Sequence, residues 1–459
     1  MDVLTDEQLP ATTPEEQGIP SSAILDFVAA VEERVDAMHA FVLVRHGHVV
    51  AQGAWSPYDL TSPRMVFSLS KSFTSSGVGL AVHEGLLSVD DRVLDFFADA
   101  APSAPSEYLS RMRVRHLLTM TTGHSTESLV GPRRVTDDDW ARTILAHPVE
   151  HEPGAHFVYN SGASYLLSAI VQKVTGETLL DYLRPRLLEP LGITDATWDT
   201  CPRGVNTGGW GLWVRVAEIA RFGQLYLQNG RWGDRQLIPA SWVADATAHQ
   251  VDNNGDVIDW RQGYGYQFWR CRHGAYRGDG AFGQFCVVMP EQDAVLAIVG
   301  GVADMQGVLD VVWEHLLPAM GAGTLPGDGS ARGLLERRLA SLARPGPDGA
   351  ASSPLARSVS GRTYRVRTDG PAGSADGEAG GGVEWIRLET GADGDAAAAG
   401  ECRLTLGSER GVREIVGATG EWRSGRLDAV RWTDAPVAVR AAWADDHTLS
   451  LRVCVVRTP

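Results

Sequence analysis

The chain has 459 residues, of which 44% are hydrophobic and 21% are charged, and its formal net charge is -16. This length predicts two or three globular domains, and the negative charge argues against nucleic acid and anionic membrane surfaces as partners. Since no apolar run could span a membrane, no signal-peptide pattern begins the sequence and five scattered cysteines favour reduced thiols, we expect a cytoplasmic protein.

Helical and strand patterns alternate from the N-terminus onward. A hairpin is predicted from His39 to Trp55, where apolar residues alternate and His46-Gly47 supplies the turn. Amphipathic spacing predicts four helices, which cover Ser21 to about Glu33, Ser68 to Gly85, Ser161 to Gly176 and Ala217 to Gly230.

Strand-like runs return further along the chain. They read GYGYQFWRCR, GQFCVVMP and DAVLAIVGG between residues 263 and 301, and a helix through VLDVVWEHLLPAM follows them. Strands at both ends with helices between them predict an α+β domain, in which distant segments complete one antiparallel sheet.

The composition changes after this region. The stretches GAGTLPGDGS and RPGPDGAASSPLARS are rich in Pro, Gly, Ala and Ser and predict an interdomain linker. Beyond Ser360, seven or eight short alternating runs predict a small antiparallel barrel or sandwich. We therefore expect a first domain over residues 1–340, a linker over 341–358 and an all-β domain over 359–459.

The stretch FSLSKSFTS contains Ser68 and Lys71 in an S-x-x-K pattern. On a helix these two side chains share a face, so the lysine amine can reach the serine hydroxyl. A buried lysine can lose its proton and act as a base, whereas arginine stays charged. Lys71 is one of only two lysines among 41 basic residues, which indicates that this position needs an amine able to exchange a proton.

Several motifs together resemble the penicillin-recognising serine hydrolases, which include class C β-lactamases, D-amino-acid peptidases, esterases and nylon-oligomer hydrolases. The resemblance rests on FSLSKSFTS, GLLSVDDRV, VRHLLTMTTGH, PGAHFVYNSGASYLLSAIVQKVTG and GGWGLWVRVAEIARFGQLYLQNGRWGDRQLIP, in that order. It runs from about Pro14 to Met320. It implies a β-lactamase/transpeptidase-like catalytic domain, and the C-terminal part resembles the lipocalin-like barrel appended to some members.

The resemblance also implies an acyl-serine mechanism. Ser68 would be the nucleophile, Lys71 its proton acceptor and Tyr159, in the motif Tyr159-Asn160-Ser161, the phenol that shuttles a proton to the leaving group. Ser161 replaces the usual asparagine of the Y-x-N motif and takes its place as a substrate contact. Asn160 is expected to cap the following helix.

The third motif of the family, K-T-G or H-x-G, is absent. Its counterpart is YRGDGAFGQF, where Asp279-Gly280 takes the place of T-G and Ala281 supplies the second oxyanion amide, beside that of Ser68. His273 and Arg277 are alternatives for the missing cationic or hydrogen-bonding side chain. The tryptophans of GGWGLW, Trp210 and Trp213, either line the substrate pocket or pack in the core.

Two histidine patterns are set aside. The sequence HPVEH, from His147 to His151, fits an inverted zinc-protease motif, but Pro148 disfavours the intact helix that this motif requires. A loop is the better interpretation. His116 and His124 are expected to be structural residues near the cleft.

The sequence thus predicts a serine hydrolase that cleaves an ester or amide bond of a peptide or small molecule through acyl-Ser68, with no cofactor and no metal. The first alternative is acyl transfer to an amine, as in a peptide cyclase or a D-stereospecific transpeptidase. An alternative from another class is a catalytically silent acyl-binding module. The oligomeric state stays open.

Overall fold

A computed structural model describes residues 9–129, 138–253, 255–366, 383–390, 400–408, 411–429 and 432–458. The chain forms two compact units. The first consists of the residues up to 54 and of residues 60–341. The second consists of residues 342 onward and of the short segment 55–59, so residues 342–358, predicted as a linker, belong to the second unit.

The described part of the first unit contains eleven strands and twelve α-helices. The strands are β1 Met38–Arg45, β2 His48–Ala54, β3 Arg64–Met65, β4 Thr197–Trp198, β5 Leu212–Val214, β6 Arg231–Trp232, β7 Arg235–Gln236, β8 Trp269–Arg270, β9 Tyr276–Gly280, β10 Gln284–Met289 and β11 Ala294–Gly300. The helices are α1 Ser21–Arg34, α2 Ser70–His83, α3 Val93–Phe96, α4 Glu107–Arg111, α5 Val114–Leu118, α6 Trp140–Ala146, α7 Ser161–Thr175, α8 Leu179–Leu183, α9 Val216–Leu227, α10 Ala240–Thr247, α11 Met305–Val311 and α12 Gly329–Ala340.

The main sheet of this unit has the order β2-β1-β11-β10-β9-β8, and every neighbouring pair is antiparallel. The inner pair of β1 and β11 joins distant parts of the chain, since Arg45 lies opposite Ala294 and Phe41 opposite Ile298. The predicted α+β class and the sheet completed by distant segments are therefore confirmed.

Helices cover both faces of this sheet. Ala40, Val42 and Val44 of β1 pack into the main core together with residues of α9, whereas Phe41 points to the other face and its ring contacts Phe27 of α1 at 5.6 Å. This alternation follows from the two-residue period of a strand. Burial on both faces explains why β1 is apolar along most of its length.

The segment before α2 runs along the free part of β9. A single 3₁₀ turn, Phe67–Leu69, leads into α2. Because β8 pairs only with Tyr276 and Arg277, the end of β9 is an open sheet edge. A Cβ at Gly278 would lie 2.2 Å from Leu69 Cδ1, and one at Gly280 would lie 2.2 Å from the Val66 carbonyl oxygen. Only glycine permits this close approach.

One predicted strand was wrong. Of the aromatic-rich run at 263–272, only Trp269–Arg270 is a strand. Gln267 adopts a left-handed conformation with φ 64°, and its side-chain amide donates to the carbonyl oxygens of Leu117 and Leu118. These buried hydrogen bonds replace those of a strand, so the run forms part of the core around α5.

In the residues that the structure describes, the second unit is all-β apart from one short helix, α13, Ala356–Val359. Its strands in the described residues are β12 Arg362–Arg365, β13 Val383–Thr390, β14 Glu401–Ser408, β15 Gly411–Ala418, β16 Arg423–Ala429, β17 Trp432–Trp443 and β18 Leu449–Val455. They form one sheet in the order β12-β13-β14-β15-β17-β16, with β18 also paired to β17. Ile415, Val437 and Val439 form its small core. The predicted C-terminal all-β fold is confirmed, and its closure into a barrel stays a prediction.

Candidate active site

Ser68 lies in the 3₁₀ turn that precedes α2, where its half-exposed side chain faces outward from a buried helix. The preceding residue, Phe67, has φ 46°, an uncommon conformation for a non-glycine residue. Its ring packs edge-on against Phe282 at 5.3 Å, which helps to hold this backbone in place. Strained backbone of this kind is frequent at functional sites.

Lys71 lies directly behind Ser68 and is only 1% exposed. Its Nζ donates to three oxygens: Ser68 Oγ at 3.1 Å, Ser161 Oγ at 3.2 Å and the Gly209 carbonyl at 2.8 Å. These three acceptors fix the amine in one position. The structure therefore brings together the serine and the lysine of the S-x-x-K pattern.

Burial lowers the pKa of Lys71 from its ordinary value to about 7, although the negative charges of Glu127 and Asp279 partly oppose this shift. The cause is desolvation, which disfavours the charged amine. Near neutral pH a large fraction of Lys71 is thus neutral and able to accept a proton. That property is what a general base requires.

Tyr159, the third predicted catalytic residue, also lies next to Lys71. Lys71 Nζ lies 4.8 Å from the centre of its ring, and the ring packs against Trp269 at 5.3 Å. Burial raises the pKa of the Tyr159 phenol well above its ordinary value, and an interaction with the Ser68 hydroxyl partly offsets the rise. The phenol consequently keeps its proton near neutral pH.

Asn160 and Ser161, at the start of α7, make different contacts. Asn160 is the N-cap of α7, since its Oδ1 accepts a hydrogen bond from Gly162 N at 3.0 Å; the predicted capping role is confirmed. Ser161 begins α7 and presents its hydroxyl to Lys71. Its backbone N–H donates to Glu127 Oε1 at 3.0 Å.

The end of β9 lies beside the segment that carries Ser68, because Gly278 approaches Leu69 and Gly280 approaches the Val66 carbonyl. Asp279, between them, is 8% exposed, and its Oδ2 accepts a hydrogen bond from Arg277 Nε at 2.8 Å. Burial raises the pKa of Asp279. The positive charge and the hydrogen bond of Arg277 partly offset this rise. Ala281 follows β9 directly and is exposed next to Phe282.

Arg277 and His273, the two alternatives for a cationic side chain, lie in different environments, since the first is buried and the second is exposed. Arg277 is fully buried; besides Asp279, its guanidinium contacts the Asp259 carbonyl at 2.8 Å and stacks on Trp260. His273 lies at the turn between β8 and β9, with its ring against Trp313. Trp210 is half-buried and stacks on Trp140 at 5.9 Å.

The remaining histidines have structural environments. Burial lowers the pKa of both His116 and His124 to about 4, so each is neutral at neutral pH. His147 ends α6 and His151 lies in the loop before Tyr159. Within the described ranges, no group of three or more His, Cys, Asp or Glu side chains could hold a metal ion.

Sequence reasoning missed two contributors to the site, Gly209 and Glu127. Gly209 acts through its carbonyl oxygen, a group that every residue carries, although its neighbour Trp210 was singled out. Glu127 approaches only through the tertiary structure. Neither has a local motif that would have revealed it.

A cavity of about 670 Å³ is lined by residues that include Phe157, Trp260, Trp269, His249 and Asn253. One of them, Trp269, also contacts the Tyr159 ring. None of the helices in the described ranges is long and apolar enough to cross a membrane.

Comparisons with known proteins agree with this geometry. A family model described as Beta-lactamase matches residues 27–301. The chain is 28% identical over 264 residues to a D-aminopeptidase of Brucella anthropi, covering 53% of this chain and 45% of the relative. It is 27% identical over 163 residues to the Monacolin J acid methylbutanoyltransferase of Aspergillus terreus, covering 31% and 39%. The chain thus spans less than half the length of these relatives.

Among solved structures, the fold is similar to that of a putative 6-aminohexanoate-dimer hydrolase from Bacillus anthracis. The TM-score is 0.53 at 19% identity, with 70% of this chain and 90% of the other covered. At 19% identity, this similarity supports the fold alone and not a function.

Proposed function

This chain belongs to the beta-lactamase family, and we propose that it is a serine hydrolase that cleaves an ester or amide bond through an acyl-Ser68 intermediate. The observation that carries the proposal is the hydrogen bond of 3.1 Å between Lys71 Nζ and Ser68 Oγ, together with the lysine pKa of about 7. A nucleophile and a base in contact at neutral pH are the minimum that acyl-serine chemistry needs.

In the acylation step, neutral Lys71 takes the proton of the Ser68 hydroxyl while Oγ attacks the carbonyl carbon of the substrate. The carbonyl electrons move onto its oxygen, which the backbone N–H groups of Ser68 and Ala281 stabilise. When the carbonyl re-forms, the bond to the leaving group breaks. Tyr159 donates its phenolic proton to the departing oxygen or nitrogen and regains one from Lys71.

Deacylation repeats these steps with water. As the water oxygen attacks the acyl carbon, its proton passes to Lys71, either directly or through Tyr159, which gives its own proton to Lys71 as it accepts one from the water. Lys71 then returns this proton to Ser68 Oγ when the bond between Oγ and the acyl carbon breaks. The products are a carboxylic acid and the free enzyme. Both steps use the same three side chains. The Lys71–Ser68 hydrogen bond and the interaction of the Tyr159 phenol with the Ser68 hydroxyl support this assignment.

The experiment is intact mass spectrometry after exposure to p-nitrophenyl esters, D-amino-acid amides and β-lactams. A mass increase equal to the acyl group, localised to Ser68, is expected with at least one class. The class that acylates fastest then distinguishes an esterase from an amidase or a peptidase. If no class produces an adduct or turnover, the proposal is wrong.

Acyl transfer is a second candidate, because one of the similar proteins is by its name a methylbutanoyltransferase. Here an amine or alcohol, instead of water, would attack the acyl-Ser68 carbon and leave as the acylated product. Adding a series of amines to a p-nitrophenyl ester reaction tests this candidate. Acylated amine in excess of carboxylic acid would favour transfer.

The catalytically silent acyl-binding module is tested separately with a fluorescent phosphonate. Such a probe forms a stable bond only with an activated serine. We expect labelling of the wild-type chain, and the Lys71–Ser68 contact supports that expectation. A chain that binds acyl compounds reversibly but takes no label would be a binding module.

A further inference from the structure

Two carboxylates flank the Lys71–Ser68 pair, Glu127 on the α7 side and Asp279 on the β9 side. The negative charge of each acts on the Lys71 amine. Asp279 is buried and bound to Arg277, whereas Glu127 is half-exposed and accepts the N–H of Ser161, whose hydroxyl binds Lys71. The charge of Glu127 therefore bears on which substrates can bind.

Glu127 has spare capacity to bind a ligand. Its Oε1 accepts the Ser161 N–H at 3.0 Å, and the side chain is half-exposed. In the described ranges, the Ser161 N–H is the hydrogen-bond donor that the structure gives to this carboxylate. As far as those ranges go, the other carboxylate oxygen is available to a donor that arrives at the site from solvent.

In the described ranges, Lys71 and Arg277 are the buried cationic side chains of the site, and both are bound to other groups, although Arg277 Nη2 has no hydrogen-bond partner. Arg277 is fully buried and bound to Asp279, the Asp259 carbonyl and Trp260. Lys71 is bound to three oxygens and must be neutral to act as a base. Among these residues a substrate carboxylate would find no accessible free cation and would meet the like charge of Glu127, which is unfavourable.

We propose that the natural substrate carries a positively charged ammonium group close to the scissile bond, and that the Glu127 carboxylate binds it. This inference rests on the proposed function and narrows it to one substrate class. The ammonium could belong to the acyl half, as in an aminoacyl compound, or to the leaving group. Both are recognised by the same chemistry, an ion pair with a carboxylate.

The test compares substrates that differ only in charge. For the acyl half, the pair is alanine p-nitroanilide and N-acetylalanine p-nitroanilide, each as the D and the L form. For the leaving group, the pair is the acetate ester of choline and that of its uncharged isostere 3,3-dimethylbutanol. At pH 7, we expect kcat/KM to be about 10-fold or more higher for the cationic member of one pair, the scale of a hydrogen bond to a charged group.

Two variants test whether Glu127 causes the preference for the cationic substrate. In Glu127→Gln, the cationic-to-neutral ratio of kcat/KM should fall about 10-fold in the favoured pair. The ratio cancels any change in Lys71, because both substrates depend on the same base. Glu150→Gln is the matched control, since the Glu150 carboxylate accepts the N–H of Ser125 at 3.0 Å in the same loop region and does not act on Lys71. Its ratio should equal that of the wild type.

The outcomes separate this inference from the proposed function. Ser68-dependent hydrolysis with ratios near 1 in both pairs would overturn the inference and leave the hydrolase proposal standing. A preference for cations that survives Glu127→Gln would overturn the role of Glu127. An absence of Ser68-dependent hydrolysis with every probe would refute both proposals. Should Glu127→Gln not fold, the wild-type ratios still decide whether a cation is preferred.

Discussion

The two lysines of this chain lie in opposite environments. Lys71, at the start of α2, is 1% exposed and donates to Ser68, Ser161 and the Gly209 carbonyl. Lys173, near the end of α7, has a side chain that is 38% exposed and pairs with Asp99 at 3.2 Å. A cation near a helix C-terminus is favourable, and arginine would serve there equally well.

The difference teaches how to interpret a rare residue in a chain that otherwise uses arginine. Lys71 is buried at a position that needs a proton acceptor, and an arginine there would keep its charge. Lys173 occupies a surface place in which only the charge matters. Rarity alone does not identify a base; rarity combined with burial and a hydroxyl partner does.

The largest effect is expected from Ser68→Ala, which removes the group that Lys71 is placed to activate. Turnover and covalent labelling should fall by about 10⁴-fold or more, as for other catalytic serines. Ser70 is no substitute, because it is fully buried and its Oγ accepts the Leu212 N–H. Intact mass spectrometry with a phosphonate measures the loss, and an adduct on the variant would point to another nucleophile.

Lys71→Arg tests the comparison most directly. Arginine retains the charge but cannot accept the Ser68 proton, so acylation should fall by about 10⁴-fold, the upper end for general base catalysis. Pre-steady-state acylation measures the rate, and circular dichroism confirms the fold. A folded variant that acylates at the wild-type rate would make Lys71 equivalent to Lys173 and refute the mechanism.

Tyr159→Phe should reduce acylation by about 10²-fold, because it removes a proton donor near the leaving group and leaves the ring packed on Trp269. Substrate affinity should change little. The same pre-steady-state assay separates rate from binding. An unchanged rate would assign Tyr159 a packing role only.

The pH profile sharpens the contrast without a mutation. Because the lowered pKa of Lys71 lies at about 7, acylation should be constant above it and fall about tenfold per pH unit below it, as the amine becomes protonated. Glu127 raises this pKa, so Glu127→Gln should move the midpoint to lower pH. A wild-type rate that keeps rising to pH 10 would mean an ordinary lysine.

Lys173→Arg should have the smallest effect. The exposed pair with Asp99 tolerates either cation, so kcat/KM should stay within about 2-fold and the free energy of unfolding within about 0.5 kcal/mol. Chemical denaturation and the ester assay measure both. A large loss of activity would show that Lys173 also serves the site.

The sequence predicted those features that depend on neighbours along the chain. Ser68 and Lys71 lie three residues apart, the β1–β2 hairpin turns at His46-Gly47, and Asn160 caps the helix that it precedes. What could not be predicted depends on tertiary contacts. Glu127 reaches Lys71 across the fold, and Gly209 contributes only its backbone. The run around Gln267 has a strand composition, yet buried hydrogen bonds hold it in another conformation.

The pairing of β1 with β11 has a consequence for protein synthesis. Arg45 leaves the ribosome long before Ala294, its partner in the sheet; at about 5–20 residues per second the interval is on the order of tens of seconds. During that time the nascent β1–β2 hairpin has an open apolar edge, which is prone to aggregation. The centre of the sheet therefore closes late in translation, and the yield of folded protein should depend on chaperones that hold the emerging chain.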